Sequence, residues 1–254
     1  MQANAHNPRL RLITIGFPDR PAFGTAVSDA ILQRVAAGEL GATARLHRPG
    51  RELAFSKQDR SASGFAAAVR AAREGGFEPV VRLAGGRAAI FHEGTLALAW
   101  STPDHRPVDR TRERFQVAAE VIAGALRRLG VDARIGEVPG EYCPGAFSVN
   151  ARGEVKLAGI GQRMIAGGAH VGAVIVGEGS ELIRATLVPV YSALGLEWDP
   201  ATAGSVADEV SGVSLDAVEA ALIAELGERF ELEPAELDPA TLALAAELEA
   251  AHRA

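Results

Sequence analysis

A chain of 254 residues, 48% hydrophobic and 23% charged, holds enough apolar material for one sizeable core or two small ones. Its one cysteine excludes an intramolecular disulfide, and no cysteine and histidine cluster has metal-ligand spacing, so no metal site is expected and a reducing, cytoplasmic compartment fits. The formal net charge of −6 opposes phosphate-driven nucleic-acid binding, and neither the start MQANAHNPRLRL nor any later apolar run has the length of a signal or membrane segment, which leaves small molecules and other proteins as partners of an expected monomer.

Residues 9–15 alternate polar and apolar at period two and read as a strand, and 28–37 is a short helix that Gly38 closes. The alanine-rich stretch 64–74 is helical until Gly75 and Gly76 stop it, and residues 78–82, 88–91 and 96–100 read as strands. From Asp109, the expected N-cap, the apolar positions Phe115, Ala118, Val121, Ile122, Ala125 and Leu129 recur at helical spacing up to Gly130. Beyond 131–138, strand 147–150, a turn at 151–153 and strand 155–161 make a hairpin, and a second hairpin turns at 166–168 into strand 170–176. Ser214 caps a helix, and Asp238 with Pro239 caps a last one rich in Ala, Leu and Glu. The expected fold is α/β (α+β), a mixed, largely antiparallel sheet with packed helices; residues 1–199 form the main domain and the helical segment 200–254 covers a sheet face of the same domain.

Three segments carry chemistry. In RLAGGRAAIFHEG, residues 82–94, Gly85 and Gly86 join two strands, lack Cβ atoms and let backbone N–H groups approach a ligand, with Arg82 and Arg87 as cationic donors; the pattern is neither a P-loop nor a dinucleotide fingerprint. Cys143, in GEYCPGAF, precedes Pro144 and Gly145 in a turn-forming stretch, whereas a structural cysteine usually sits among apolar side chains. Accessibility permits reaction, and His170 is a candidate base, but a lone thiol is more often incidental than nucleophilic. Lys156, in KLAGIGQR, is either a solvated edge lysine or an ammonium facing a pocket, where it would hold a carbonyl oxygen, a carboxylate or a phosphate.

Together these segments resemble the lipoate and biotin protein ligase superfamily, and within it the cysteine-dependent octanoyl and lipoyl transferases. The residues that carry the resemblance are Arg82-Leu-Ala-Gly-Gly-Arg-Ala-Ala, His92-Glu-Gly-Thr-Leu, Glu141-Tyr-Cys-Pro-Gly and Lys156-Leu-Ala-Gly-Ile-Gly-Gln-Arg, in the family's order and spacing. What the resemblance implies is a ligase-like catalytic domain in which Cys143 attacks an octanoyl carbonyl and holds the chain as a thioester, which the lysine of a lipoyl domain then takes as an amide. Lys156 would stabilise the charge on the acyl oxygen, and Arg82, Gly85, Gly86, Arg87, His92, Gly159, Gln162 and His170 would line or order the acyl site. The implied partners are lipoyl-domain proteins, namely the glycine-cleavage H protein and 2-oxoacid dehydrogenase acyltransferase subunits, with an acyl carrier protein as a possible donor. No cofactor is implied beyond the octanoyl or lipoyl substrate. ATP-dependent lipoate ligases, which would need ATP and Mg, carry a third glycine and an Asp where this chain has Arg87 and Glu93, and biotin ligases carry a Gly-Arg-Gly-Arg loop absent here. His92 and Ala97 replace an Asp and an Asn of the transferase pattern. Two other readings therefore stay open, an ATP-dependent lipoate ligase and a non-catalytic acyl or lipoyl-domain binder.

Overall fold

The N-terminal strand forms as β1 (Arg9–Ile13) in the computed structural model, which describes residues 7–254. The first helix, α1 (Pro21–Ala36), begins well before the expected residue 28. Pro21 is the reason: at the first helical turn its missing N–H leaves no bond unmade and its φ is preset, so Phe23, Ala26, Val27, Ala30 and Ile31 line one continuous buried face. Strands β2 (Thr43–His47) and β3 (Glu52–Phe55) were not anticipated. Polar Thr43, Arg45 and His47 alternate with Ala44 and Leu46, yet all five residues of β2 are buried, so the polar side chains point into covered space rather than into solvent.

A short helix α2 (Lys57–Arg60), capped reciprocally by Ser56 and Asp59, leads to α3 (Phe65–Glu74) and strands β4 (Glu78–Val81), β5 (Ala89–Phe91) and β6 (Thr95–Asp104). Helix α4 (Thr111–Arg128) starts after Arg110 without a side-chain cap, so Asp109 is not its N-cap. Of the stretch 131–138 only β7 (Ala133–Ile135) is strand. The two hairpins form from β8 (Val149–Ala151), β9 (Val155–Ile165) and β10 (Gly167–Val176). Helix α5 (Ser180–Leu194) was hidden by Pro189 in its interior, a residue that normally argues against helix. The chain ends with α6 (Val206–Glu209), α7 (Leu215–Arg229), β11 (Glu231–Pro234) and α8 (Pro239–Leu248).

The large sheet has the order β11-β1-β2-β6-β10-β9-β8-β7; β11, β1 and β2 run parallel, and every pairing from β2 to β7 is antiparallel. A second sheet, β4-β3-β5, stands beside it. On one face of the large sheet Leu46, Leu96, Leu98, Ala173 and Ile175 pack against Val121, Ile122 and Leu126 of α4 and Val218 and Leu222 of α7. Helix α1 crosses the other face and packs on α8, and His252 Nδ1 lies 2.8 Å from the Val81 carbonyl of the small sheet. No helix of the described residues is long and apolar enough to cross a membrane.

Register decides what that second face offers. Across β9, β10, β6 and β2 the aligned residues are Gly161, Gly172, Ala99 and Arg45 in one row and Gly159, Val174, Ala97 and His47 in the next. Glycine and alanine leave a shallow floor under α1, bounded by the small sheet.

Truncation of the opposite face separates packing from chemistry. Leu98→Ala should lower stability by about 2–5 kcal/mol in urea unfolding, while the alkylation rate of Cys143 in the folded protein stays unchanged.

Candidate active site

Cys143 adopts φ 44°, a left-handed conformation that residues with a Cβ seldom take. Such strain, on the order of 1–3 kcal/mol, persists only where neighbours impose it. Here they do so on both sides of the residue. The Cys143 N–H donates to Tyr191 Oη at 2.9 Å, and that hydroxyl donates to the Ala88 carbonyl at 2.9 Å. Lys156 Nζ donates to the carbonyls of Tyr142 at 2.9 Å and Cys143 at 2.7 Å, and to Glu141 Oε1 at 3.1 Å. Lys156 is 1% and Glu141 3% exposed, so this is a buried ion pair. It is tolerated because the remaining valences are filled: Glu141 also accepts from Ser148 Oγ at 2.6 Å, the Gly145 N–H at 2.9 Å and the Val138 N–H at 3.2 Å.

The thiol points at the glycine loop between β4 and β5. The Arg87 N–H donates to Sγ at 3.1 Å, and Arg82 Nη2 lies 3.5 Å away. Gly86, at φ 111°, makes this approach possible, since a Cβ there would sit 2.2 Å from Arg82 Nη2 and 2.8 Å from Sγ. The Gly85 N–H donates to the Gln162 carbonyl at 3.2 Å and fixes the loop on β9. Arg87 is held in turn by Asp59 at 3.4 Å, a fully buried carboxylate that caps α2. Burial pushes the Cys143 thiol up, but the Arg82 and Lys156 charges and the Arg87 N–H outweigh it and hold the pKa below that of an ordinary thiol.

Beside the loop a cavity of about 100 Å³ runs over the shallow floor of the large sheet. Arg82, Leu83 and Ala84 line one part of it, Ala97, Ala99 and Gly172 form its floor, and Arg45 and His47 lie farther along with Gly24 of α1.

Of the residues singled out in the sequence, Arg82, Gly85, Gly86, Arg87, Cys143 and Lys156 come together. Gly159 stands beside Lys156, whose Cε would be 3.2 Å from a Cβ at that position. Three others sit differently from expectation. His92 is not in the cavity wall: its Nδ1 accepts the Gly94 N–H at 3.0 Å beside Gly179, because the β5–β6 turn directs the ring away. Gln162 alternates with Gly161 along β9, so its side chain reaches Arg114 and the Thr111 carbonyl, and only its own carbonyl meets the loop. His170 lines the cavity but lies 3.1 Å from Ser101 Oγ and makes no bond to Cys143; burial, helped by Arg45 and opposed by Asp29, lowers its pKa to about 4, so it is neutral. Lys156 is neither a solvated edge residue nor a free donor, because its three N–H groups are taken. Sequence reasoning passed over Glu141, Tyr191 and Asp59. Glu141 adjoins the cysteine motif and Asp59 completes a Ser-x-x-Asp capping box, but nothing local marks Tyr191, 48 residues from Cys143.

The family model for the lipoyl protein ligase A/B catalytic domain matches residues 20–227. An octanoyl-[GcvH]:protein N-octanoyltransferase of Geobacillus kaustophilus is 28% identical over 170 residues, 67% of this chain and 60% of that protein. The protein of the same name from Anoxybacillus flavithermus is 32% identical over 160 residues, 63% of this chain and 57% of that protein. The chain thus spans less than two thirds of the length of these relatives. Among solved structures, a lipoate-protein ligase A bound with ATP aligns with a TM-score of 0.77 at 20% identity, over 95% of this chain and 94% of that one. The bipartite lipoate protein ligase of Thermoplasma acidophilum, studied with its lipoyl domain, aligns with a TM-score of 0.72 at 20% identity, over 96% and 92%. These structural likenesses extend to the fold.

Three outcomes follow from the geometry. Iodoacetamide should alkylate Cys143 with a pH midpoint below that of a free thiol, and Arg82→Ala should move the midpoint upward by removing the nearest positive charge. Lys156→Ala should leave Glu141 buried and unpaired and cost about 3–5 kcal/mol in denaturant unfolding.

Proposed function

Because the chain belongs to the lipoyl protein ligase A/B catalytic domain family, we propose that it is an acyltransferase of protein lipoylation, moving a medium-chain acyl group of the octanoyl or lipoyl type through a thioester on Cys143. The observation that carries this reading is the Cys143 thiol, drawn towards the thiolate by two cations and a backbone N–H, at a glycine loop beside a cavity with a small-residue floor.

The lowered thiol pKa favours the thiolate, and His170, bonded to Ser101 and not to Cys143, is not placed to act as its base. Sγ attacks the acyl carbonyl of the donor; the bond from that carbon to the donor's nitrogen or sulfur breaks, and the leaving nitrogen or sulfur takes up a proton from solvent. In the thioester Sγ no longer needs its donors, and the Arg87 N–H and the Arg82 guanidinium are free to hold the carbonyl oxygen as it becomes negative. Lys156 acts one step back, keeping the Cys143 turn in place. The neutral amine of an acceptor lysine then attacks the thioester carbon and loses a proton, the C–S bond breaks, and Sγ leaves as a thiolate. A depressed thiol pKa favours that departure as well as the first attack.

The names of the relatives suggest the glycine-cleavage H protein as donor or acceptor. Other lipoyl-domain proteins, such as 2-oxoacid dehydrogenase acyltransferase subunits, offer the same exposed lysine. An acyl carrier protein is a second possible donor, and the reaction proceeds without ATP because the acyl group arrives already activated or is exchanged between amides.

Intact mass spectrometry after incubation with octanoylated H protein or octanoyl carrier protein, without ATP, tests this. Wild type should gain one octanoyl mass that hydroxylamine removes, and Cys143→Ala should gain none. Modification of a lipoyl domain that requires ATP and survives Cys143→Ala would replace this reading with a ligase.

A further inference from the structure

Strand β9 has a neighbour on both sides for only part of its length. β10 pairs with it from Ala158 to Ile165, but β8, three residues long and shifted by a bulge between Val149 and Asn150, reaches no farther than Ala158. Residues 159–165 therefore turn one side of their main chain away from the sheet. Parity decides which groups point there. The Gln162 carbonyl accepts the Gly85 N–H from outside the sheet, so along this antiparallel pair of continuous register the N–H and C=O groups of Ile160 and Met164 point the same way. Among the described residues no backbone bond from outside the strands reaches Met164. An edge of this kind is a template for another strand unless the protein covers it.

Its surroundings suit one kind of partner. Thr111 Oγ1 lies 3.2 Å from the Met164 sulfur, and the Gln162 side chain donates to the Thr111 carbonyl at 2.8 Å, so the segment 105–112 between β6 and α4 stands beside the open edge. Arg110 and Arg112 are exposed there, Arg112 lies 5.6 Å from the centre of the Phe147 ring, and Val108 is 70% exposed. Neither of these arginines nor Arg163 of β9 makes an ion pair among the described residues; Asp109 is taken by Arg106, which leaves Glu113 as the one unpaired acid of 105–113. A chain of net charge −6 thus gathers unpaired positive charge at this rim, a field that steers and orients an acidic protein. The edge also leads to the thiol. Pairing must stop at Gln162, whose carbonyl is taken by Gly85, and two residues farther along the same loop the Arg87 N–H meets Sγ.

Resting on the acyl-transfer reading above, we propose that the acceptor protein adds an extended, acidic segment to the open edge of β9 at Met164, with Val108, Arg110 and Arg112 as its second contact. Backbone pairing supplies the register, and the arginines supply the preference for acidic side chains. A segment running from Met164 towards Gln162 leaves the edge over Gly85 and delivers its lysine to the Cys143 thioester.

Hydrogen–deuterium exchange and calorimetry on the full chain, with apo H protein as the acceptor, test this without turnover. Exchange of the Met164 amide should slow when the acceptor is added. Met164→Pro removes the outward N–H at an edge position, where proline is tolerated, and should weaken binding about tenfold or more, whereas Met164→Ala keeps the N–H and should bind as wild type does. Arg112→Glu should weaken binding and flatten its salt dependence. Circular dichroism and an unchanged alkylation rate of Cys143 check that each variant is folded; if Met164→Pro is not, the exchange result and Arg112→Glu decide. No binding by wild type, no slowing at Met164, equal losses in Met164→Pro and Met164→Ala, or an Arg112→Glu variant that binds like wild type overturns the proposal. A small octanoyl thioester loads Cys143 without docking, so a wild type that forms the thioester but binds no acceptor fails the docking alone, and one that binds at Met164 but forms no thioester fails the acyl-transfer reading.

Discussion

The buried pair of Lys156 and Glu141 is the constraint on which the site depends. An ammonium and a carboxylate withdrawn from water are stable together only if almost every donor and acceptor on them is filled. Here the filling groups are the backbone of the segment they hold: the carbonyls of Tyr142 and Cys143 and the N–H groups of Val138 and Gly145. Two charges thereby become the mould of a turn. Cys143 accepts a positive φ within it, Tyr191 pins its N–H from the far side, and Sγ meets the Arg87 N–H.

Division of labour follows from that geometry. Because the Lys156 donors are spent on the turn, its influence on the thiol is that of a nearby fixed charge, which is the second favourable influence after Arg82. The groups with unspent capacity next to Sγ belong to the glycine loop, which can approach closely because residue 86 has no Cβ. His170, the residue that a cysteine and histidine scheme would choose, is buried, bonded to Ser101 and neutral. The thiol pKa is lowered by cations and a backbone N–H rather than by a neighbouring base, as the proposed role of nucleophile and leaving group would require.

The large sheet shows the same economy of parts. One face is conventional, with leucines, isoleucine and alanine packed on α4 and α7. The other exposes glycines and alanines where β9, β10 and β6 pass beneath the loop, so the cavity comes from what the side chains leave out. The sequence of β2 alone does not show this, since the alternation from Thr43 to His47 reads as a strand with its polar face in solvent, whereas both faces are covered.

Much of this was legible from residues in order. The β9 to β10 hairpin, helices α3, α4, α7 and α8, and the motifs around Gly86, Cys143 and Lys156 announce themselves because their signals are local: apolar period, N-caps, glycine pairs, and short runs whose spacing resembles a family. The rest required the folded chain. Tyr191 bridges Cys143 and Ala88 through contacts 48 and 103 residues away in sequence, and the fate of His92 and Gln162 was set by a turn and by strand parity rather than by residue type. The sequence by itself determined the elements whose signals are local and the polar groups they carry, but not β2, β3 or α5. Only the tertiary structure decided that Lys156 is fully engaged and that Arg45 is left with an empty donor, because hydrogen-bond satisfaction and burial are properties of neighbours, and neighbours across a sheet are chosen by register rather than by proximity along the chain.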